Sequence, residues 1–151
     1  MLRTQEYPGL LIAIARRRIK QAVLGRAARH GLSPQQFWLV VALHERRVAS
    51  QAELAEHMHV DAPTASRVVA ALARRRLVRV EEDPSDRRRA RLHLTRAGEE
   101  IARELARIAG EIRAAVVDGM SPAEVEGLRR GLRKIIANME RLDGRAAREA
   151  S

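Results

Sequence analysis

Apolar residues recur at helical spacing through most of this 151-residue chain and switch to alternate positions in one short stretch. Leu10, Leu11 and Ile14 share a helical face, and Ile19 and Val23 extend the pattern until Gly31 ends it. Ser33 caps the next helix, Pro34 stands at its first position and Gln36 completes a capping box; Phe37, Val40, Leu43 and His44 then line one face. Ser50 and Glu53 form a second box, with Leu54 pointing inward, and a tight break follows at His57–Val60. Asp61 is an N-cap and Pro63 sits in the first turn of a helix whose Ala65, Val68, Val69 and Leu72 step by three and four. The period then becomes two. Val78 and Val80 alternate with Arg79 and Glu81, and Leu92 and Leu94 with Arg91 and His93, as the arms of a hairpin. Thr95 opens a long helix carrying Ile101, Leu105, Ile108, Ile112 and Val116. Ser121, Pro122 and Glu124 open a last one carrying Val125, Leu128, Leu132, Ile135, Met139 and Leu142. Residues 144–151 are small and charged and are expected to fray.

Helix, turn, helix and a basic hairpin form a device for reading duplex DNA. The second helix fits the major groove and the hairpin straddles the backbone beside it. The face of that helix opposite its apolar stripe carries Thr64, Ser66, Arg67, Arg74 and Arg75. Arg67 either grips guanine O6 and N7 or contacts phosphate alone. Thr64 and Ser66 reach bases or phosphates, and Arg74, Arg75 and Arg79 are backbone clamps or solvated charge. The fold class is therefore mainly α with a small β wing. A winged helix-turn-helix core (32–98) is flanked by dimerisation helices at the N-terminus (1–31) and C-terminus (99–143). The terminal stripes have no further domain to cover them. A second copy of the chain is the simplest cover, and a two-fold pair supplies two reading heads for a pseudo-palindromic double-stranded operator.

Charge supports this reading. The chain has 29 Lys plus Arg against 19 Asp plus Glu, a net charge of +10, and the excess lies in residues 1–29 and 61–98. A basic region between balanced ones suits a polyanion. A GC-rich genome would explain Arg in place of Lys, but not this local imbalance. With no cysteine, disulfides, thiolate metal sites and cysteine redox sensing are excluded. No apolar run approaches the roughly 20 residues that span a bilayer, and Arg16, Arg17 and Arg18 interrupt the first apolar stretch, so a cytoplasmic location is expected. Enzyme readings fail for want of a constellation. The five histidines are scattered, His57 and His59 read as solvated turn residues, and the acidic run Glu81–Asp83 as a solvated strand end. No phosphate loop or Ser–His–Asp pattern occurs, and no metal or cofactor is expected.

Four features occur in order: Leu32-Ser33-Pro34-Gln35-Gln36-Phe37; Glu53-Leu54-Ala55; Thr64-Ala65-Ser66-Arg67; and Asp83-Pro84-Ser85-Asp86-Arg87-Arg88-Arg89 closing on Leu94-Thr95-Arg96-Ala97-Gly98. On these the chain resembles the multiple antibiotic resistance regulator (MarR) family over nearly its whole length. The resemblance implies an obligate homodimer that represses genes and often releases DNA when a small ligand binds; a phenolic or anionic aromatic ligand would fit beside Arg16, and a ligand-independent or architectural DNA-binding protein is the alternative. It makes Asp86 and Arg88 the wing pair, the acid orienting the arginine into a narrow A·T-rich minor groove, with Arg87 and Arg89 on flanking phosphates. It places the effector between the dimer helices and the reading head, where Ile12, Arg16, Trp38 and His44 are candidates; Trp38 otherwise packs at the dimer interface. Two positions depart from the family pattern. His59 and Arg76 stand where glycine is common, and a non-glycine residue in the left-handed region costs about 1 kcal/mol.

Overall fold

The computed structural model describes residues 7–86 and 89–149. Arg87 and Arg88, two of the expected wing residues, lie outside them. The elements run α1 (Pro8–Ala27), a 3-10 turn (Ala28–His30), α2 (Pro34–His44), α3 (Gln51–Met58), α4 (Ala62–Arg74), β1 (Val78–Glu81), β2 (Arg91–Leu94), α5 (Arg96–Val116) and α6 (Pro122–Glu149). Two compact units divide within α5, at Arg113 and Ala114.

In the first unit, α2 is the centre of the core. A helix with one apolar face was expected there, but Phe37, Leu39, Val40, Val41, Ala42 and Leu43 are all buried. A helix that is apolar all round is buried all round. Leu54 of α3, Ala65, Val68, Val69 and Leu72 of α4, and Ala102, Leu105, Ile108, Ala109 and Ile112 of α5 complete this core. From α1, only Val23 and Ala27 are buried.

The local signals act mostly as read. Ser33 and Gln36 form a reciprocal capping box, and so do Ser121 and Glu124. The box at Ser50 forms in half: its hydroxyl accepts from the Glu53 amide, but the Glu53 carboxylate accepts from the amide of Ala49, not of Ser50. The chain before α3 is extended there, bridging Ser50 to Arg91 beside the hairpin. That hairpin is antiparallel, with Val78 opposite Leu94 and Val80 opposite Leu92. His59 and Arg76 both take the left-handed conformation, at φ 50° and 56°. The turns that glycine commonly makes are therefore kept, with their conformational cost.

Thr95 ties the hairpin to α5. Its amide donates to the Leu77 carbonyl at 3.0 Å, its hydroxyl donates to the Arg76 carbonyl at 2.6 Å, and that hydroxyl accepts from the Gly98 amide at 3.0 Å. The spacing Thr-x-x-Gly is thus an N-cap whose third helical residue lies against β1. In the second unit, α6 continues as helix to Glu149, within the segment expected to fray. Ala146, Ala147, Arg148 and Glu149 are strong helix formers, which favours that extension. No residue of α6 between 122 and 145 is buried within the chain.

Candidate nucleic-acid interface

The first turn of α4 is built from its N-cap outward. Asp61 accepts from the Thr64 amide at 2.7 Å. Hydrogen bonds from the Thr64 hydroxyl and amide hold the Asp61 carboxyl below its ordinary range. The Thr64 hydroxyl in turn accepts from Arg67 at 3.0 Å. Asp61, Thr64 and Arg67 therefore form one chain along the first turn that presets the Arg67 guanidinium. Ser66, Arg67, Ala70 and Arg74 are exposed at helical spacing on one face, and Thr64 is half-buried at its edge. Ala70 was passed over in the sequence; its small side chain leaves room for close approach between the two arginines.

Arg75 belongs elsewhere. Its guanidinium donates to the carbonyls of Gly31 and His30, at 2.8 and 2.7 Å. It is engaged within the fold and is not grouped with Thr64, Ser66 and Arg67.

The wing begins in the acidic run, of which Glu81 and Asp83 have structural partners. Glu81 pairs across the strands with His93 at 3.1 Å. Asp83 accepts from the amide and hydroxyl of Ser85, which hold its carboxyl below the ordinary range. The Asp86 carbonyl accepts from the Arg89 amide at 3.0 Å, and the side chains of Asp86 and Arg89 are exposed. The wing pair of Asp86 with Arg88 falls on a residue outside the described ones.

Two cavities flank Trp38, which meets Phe37 edge-on at 5.1 Å between ring centroids. One, of about 430 Å³, is lined by Arg16, Ile19, Lys20, Val23, Ser33, Pro34, Gln35, Trp38 and Met58. The other, of about 230 Å³, is lined by Trp38, Ala42, Arg47, His57, Met58 and Arg113. Of the four effector-site candidates, Arg16 and Trp38 line one cavity together, whereas Ile12 and His44 line neither. His44 instead pairs with Glu99 at 3.0 Å. Arg113 lies over the Trp38 ring, 5.5 Å from its centroid, and donates two hydrogen bonds to Glu45, to which Arg47 also donates. No linear pattern joins Glu45 to Arg113, 68 residues on.

These arginines, Arg113 foremost, hold the Glu45 carboxyl below its ordinary value against the opposing effect of burial. A depressed acid adds stability above its ordinary pKa and loses it as pH falls through the folded value. Glu45→Gln is therefore expected to lower the urea midpoint at pH 7, and the gap from wild type should narrow as pH falls below the ordinary glutamate value of 4.5. A gap that stays constant down to pH 3 would mean the ion pair contributes nothing.

Among the described residues, no group of three or more His, Asp or Glu is placed to hold a metal ion. No described helix is long and apolar enough to cross a membrane.

Comparison with known proteins agrees with the geometry. The MarR family model matches residues 30–89. The crystal structure of the transcriptional regulator PA3341 is 31% identical, with a TM-score of 0.73 over 89% of this chain and 98% of that one. BpsR of Bordetella bronchiseptica, described with regulation of its DNA binding by 6-hydroxynicotinic acid, is 26% identical; its TM-score is 0.72 over 89% and 96% of the two chains. MepR of S. aureus in complex with DNA is 21% identical and shares the fold, with a TM-score of 0.76 over 87% and 98%. With the capped recognition helix, the hairpin and the Thr-x-x-Gly junction in their expected places, the chain belongs to the MarR family of winged-helix, DNA-binding transcriptional regulators.

Proposed function

We propose that this protein is a homodimeric repressor that reads a pseudo-palindromic operator and leaves it when an anionic aromatic ligand binds beside Trp38. The observation that carries the reading is the first turn of α4, where Thr64 presets an exposed Arg67 beside Ser66. In this reading residues 32–98 are the reading head, and residues 1–31 and 99–143 supply the dimer surface. Arg67 reads guanine, Ala70 admits a thymine methyl, Arg74 and Arg89 hold phosphates, and Arg88 enters the minor groove. Half-sites then lie about one helical turn, roughly 10 bp, apart.

The two cavities support this ligand class. Each joins the Trp38 ring to cationic side chains, Arg16 and Lys20 on one side and Arg47 and Arg113 on the other. A flat acid would stack on the indole and pair with a guanidinium. The ligand-controlled DNA binding described for BpsR supports the same reading by analogy.

The test titrates variants on a selected operator and on random duplexes at two salt concentrations. Arg67→Ala is expected to cost about 1–3 kcal/mol on the operator and to relax preference at one base per half-site. Arg74→Ala should weaken all sequences alike and lower the salt slope by about one per head. Equal losses on operator and random DNA for Arg67→Ala would reduce Arg67 to a phosphate clamp. A panel of phenolic and nicotinate-like acids should raise the melting temperature of wild type and not of Trp38→Ala. No shift with any of them would favour a regulator without an effector.

A further inference from the structure

We propose that Arg75 is a positioning residue for DNA reading, a strut that sets the angle at which α4 meets the groove. This rests on the dimeric, DNA-reading function proposed above.

Arg75 is the C-cap of α4, with φ −82° and ψ 1°, just beyond the last helical residue. From there its side chain reaches residues more than forty positions earlier. Its Nη1 donates to the Gly31 carbonyl at 2.8 Å and its Nη2 to the His30 carbonyl at 2.7 Å. Both acceptors close the 3-10 turn that continues α1, where Gly31 takes the left-handed conformation at φ 63°. Such a helix end leaves carbonyls without intrahelical donors and carries partial negative charge. A planar guanidinium satisfies two adjacent acceptors at once, whereas a lysine ammonium is a point charge without that fork. The fork also packs over the glycine: a Cβ at Gly31 would lie 3.6 to 3.9 Å from the guanidinium atoms.

The consequence is mechanical. The early part of α1 carries exposed Leu10, Leu11 and Ile14, the face assigned to the second copy. The fork joins the far end of that same helix to the end of the recognition helix. In a two-fold dimer the separation and tilt of the two heads decide which half-site spacing fits. Arg75 therefore acts on spacing through the orientation of α4, without touching DNA.

The experiment uses duplexes selected by the wild-type protein from a randomised pool. Derivatives carry one or two base pairs inserted between the half-sites, and a random duplex serves as reference. Arg75→Lys keeps the charge and loses the fork. Wild type should lose about tenfold or more in affinity per inserted base pair, within the range of single-site mismatches. Arg75→Lys should keep the random-duplex affinity within about twofold and the wild-type salt slope, while its spacing penalty falls to about threefold or less. Hydrogen exchange should quicken at the Leu32 amide, whose bond to the Ala27 carbonyl closes the same turn. Spacing profiles of both Arg75→Lys and Arg75→Ala that match wild type overturn the proposal. So does an Arg75→Ala variant weakened by one factor on every duplex, with a salt slope lower by about one per head; that is a phosphate clamp. A wild-type protein that selects no sequence overturns the DNA-reading function, and the positioning role with it. A wild type that discriminates spacing beside unaltered Arg75→Lys and Arg75→Ala variants overturns the strut and leaves the DNA-reading function standing.

Discussion

Gly98→Ala is expected to destabilise the protein by about 3 kcal/mol, the upper end for forcing an extra methyl into a packed site. A Cβ at this position would fall inside the van der Waals envelope of the Leu77 carbonyl oxygen, 3.1 Å from the carbonyl carbon and 3.3 Å from Cδ2 of Leu94. The oxygen cannot swing aside, because it accepts the Thr95 amide at 3.0 Å. Nor can α5 withdraw without breaking the Thr95 hydroxyl bonds to the Arg76 carbonyl and from the Gly98 amide. These three hydrogen bonds converge on Thr95, so the added methyl separates the hairpin from α5. In a thermal melt the loss corresponds to a fall of roughly 6–12 °C for a chain of this length. Gly110 is the internal control. It lies within the same helix with nothing near its missing Cβ, so Gly110→Ala should raise stability by up to about 1 kcal/mol. A Gly98→Ala protein that melts with wild type would mean that the helix start does not lie against β1 as described.

What was legible in the sequence was legible because it is local. A cap acts on an amide three residues away and a strand alternates by twos, so Ser33, Asp61, Ser121 and the alternating arms Val78–Val80 and Leu92–Leu94 could be read from neighbours alone. The two departures from glycine, His59 and Arg76, marked left-handed turns that the structure retains. What was not legible depends on residues far apart in the chain. Arg75 looked like one more arginine on a basic helix; its acceptors lie 44 and 45 residues away. Glu45 and Arg113 gave no signal for the same reason, and Arg113 lines a cavity beside Trp38 that a helical wheel of α2 does not show. The burial of α2 on every side was nearly readable: Phe37–Leu43 is an unbroken apolar run, and a search for one face discards that information. Of the four residues offered as a pocket, only two share a cavity, for a related reason. Trp38 and Arg16 share a cavity, but His44, one helical turn from the start of that logic, is held by Glu99 of α5.

Met139→Asp is expected to convert a dimer into a monomer. Val125, Leu128, Leu132, Ile135, Met139 and Leu142 of α6 step by three and four, the spacing of a helix seam that supercoils with another. Leu128, Met139 and Leu142 expose 42, 50 and 58% of their surface in the single chain, too much for a stripe that has found its partner. α1 likewise exposes Leu10 at 44% and Leu11 at 51%. A second copy would bury both faces, and under two-fold symmetry each substitution acts twice. A carboxylate on this seam must lose its water without gaining a partner, so dissociation should strengthen by about a hundredfold or more. Because Met139 is half-exposed in the monomer, the folded chain itself should survive, and its helix content should stay near wild type. Arg130→Asp is the matched control, on the opposite face of α6, and should leave assembly unchanged. Light scattering at micromolar concentration should then give twice the 16.9 kDa chain mass for wild type and Arg130→Asp, and the single mass for Met139→Asp. A wild type at the single mass would refute the dimer outright. A dimeric, undiminished Met139→Asp would remove α6 from the interface and leave the α1 face as its remaining candidate. Since paired heads bind one operator as a unit, Met139→Asp should also lose dependence on half-site spacing while each head keeps its affinity for a single half-site.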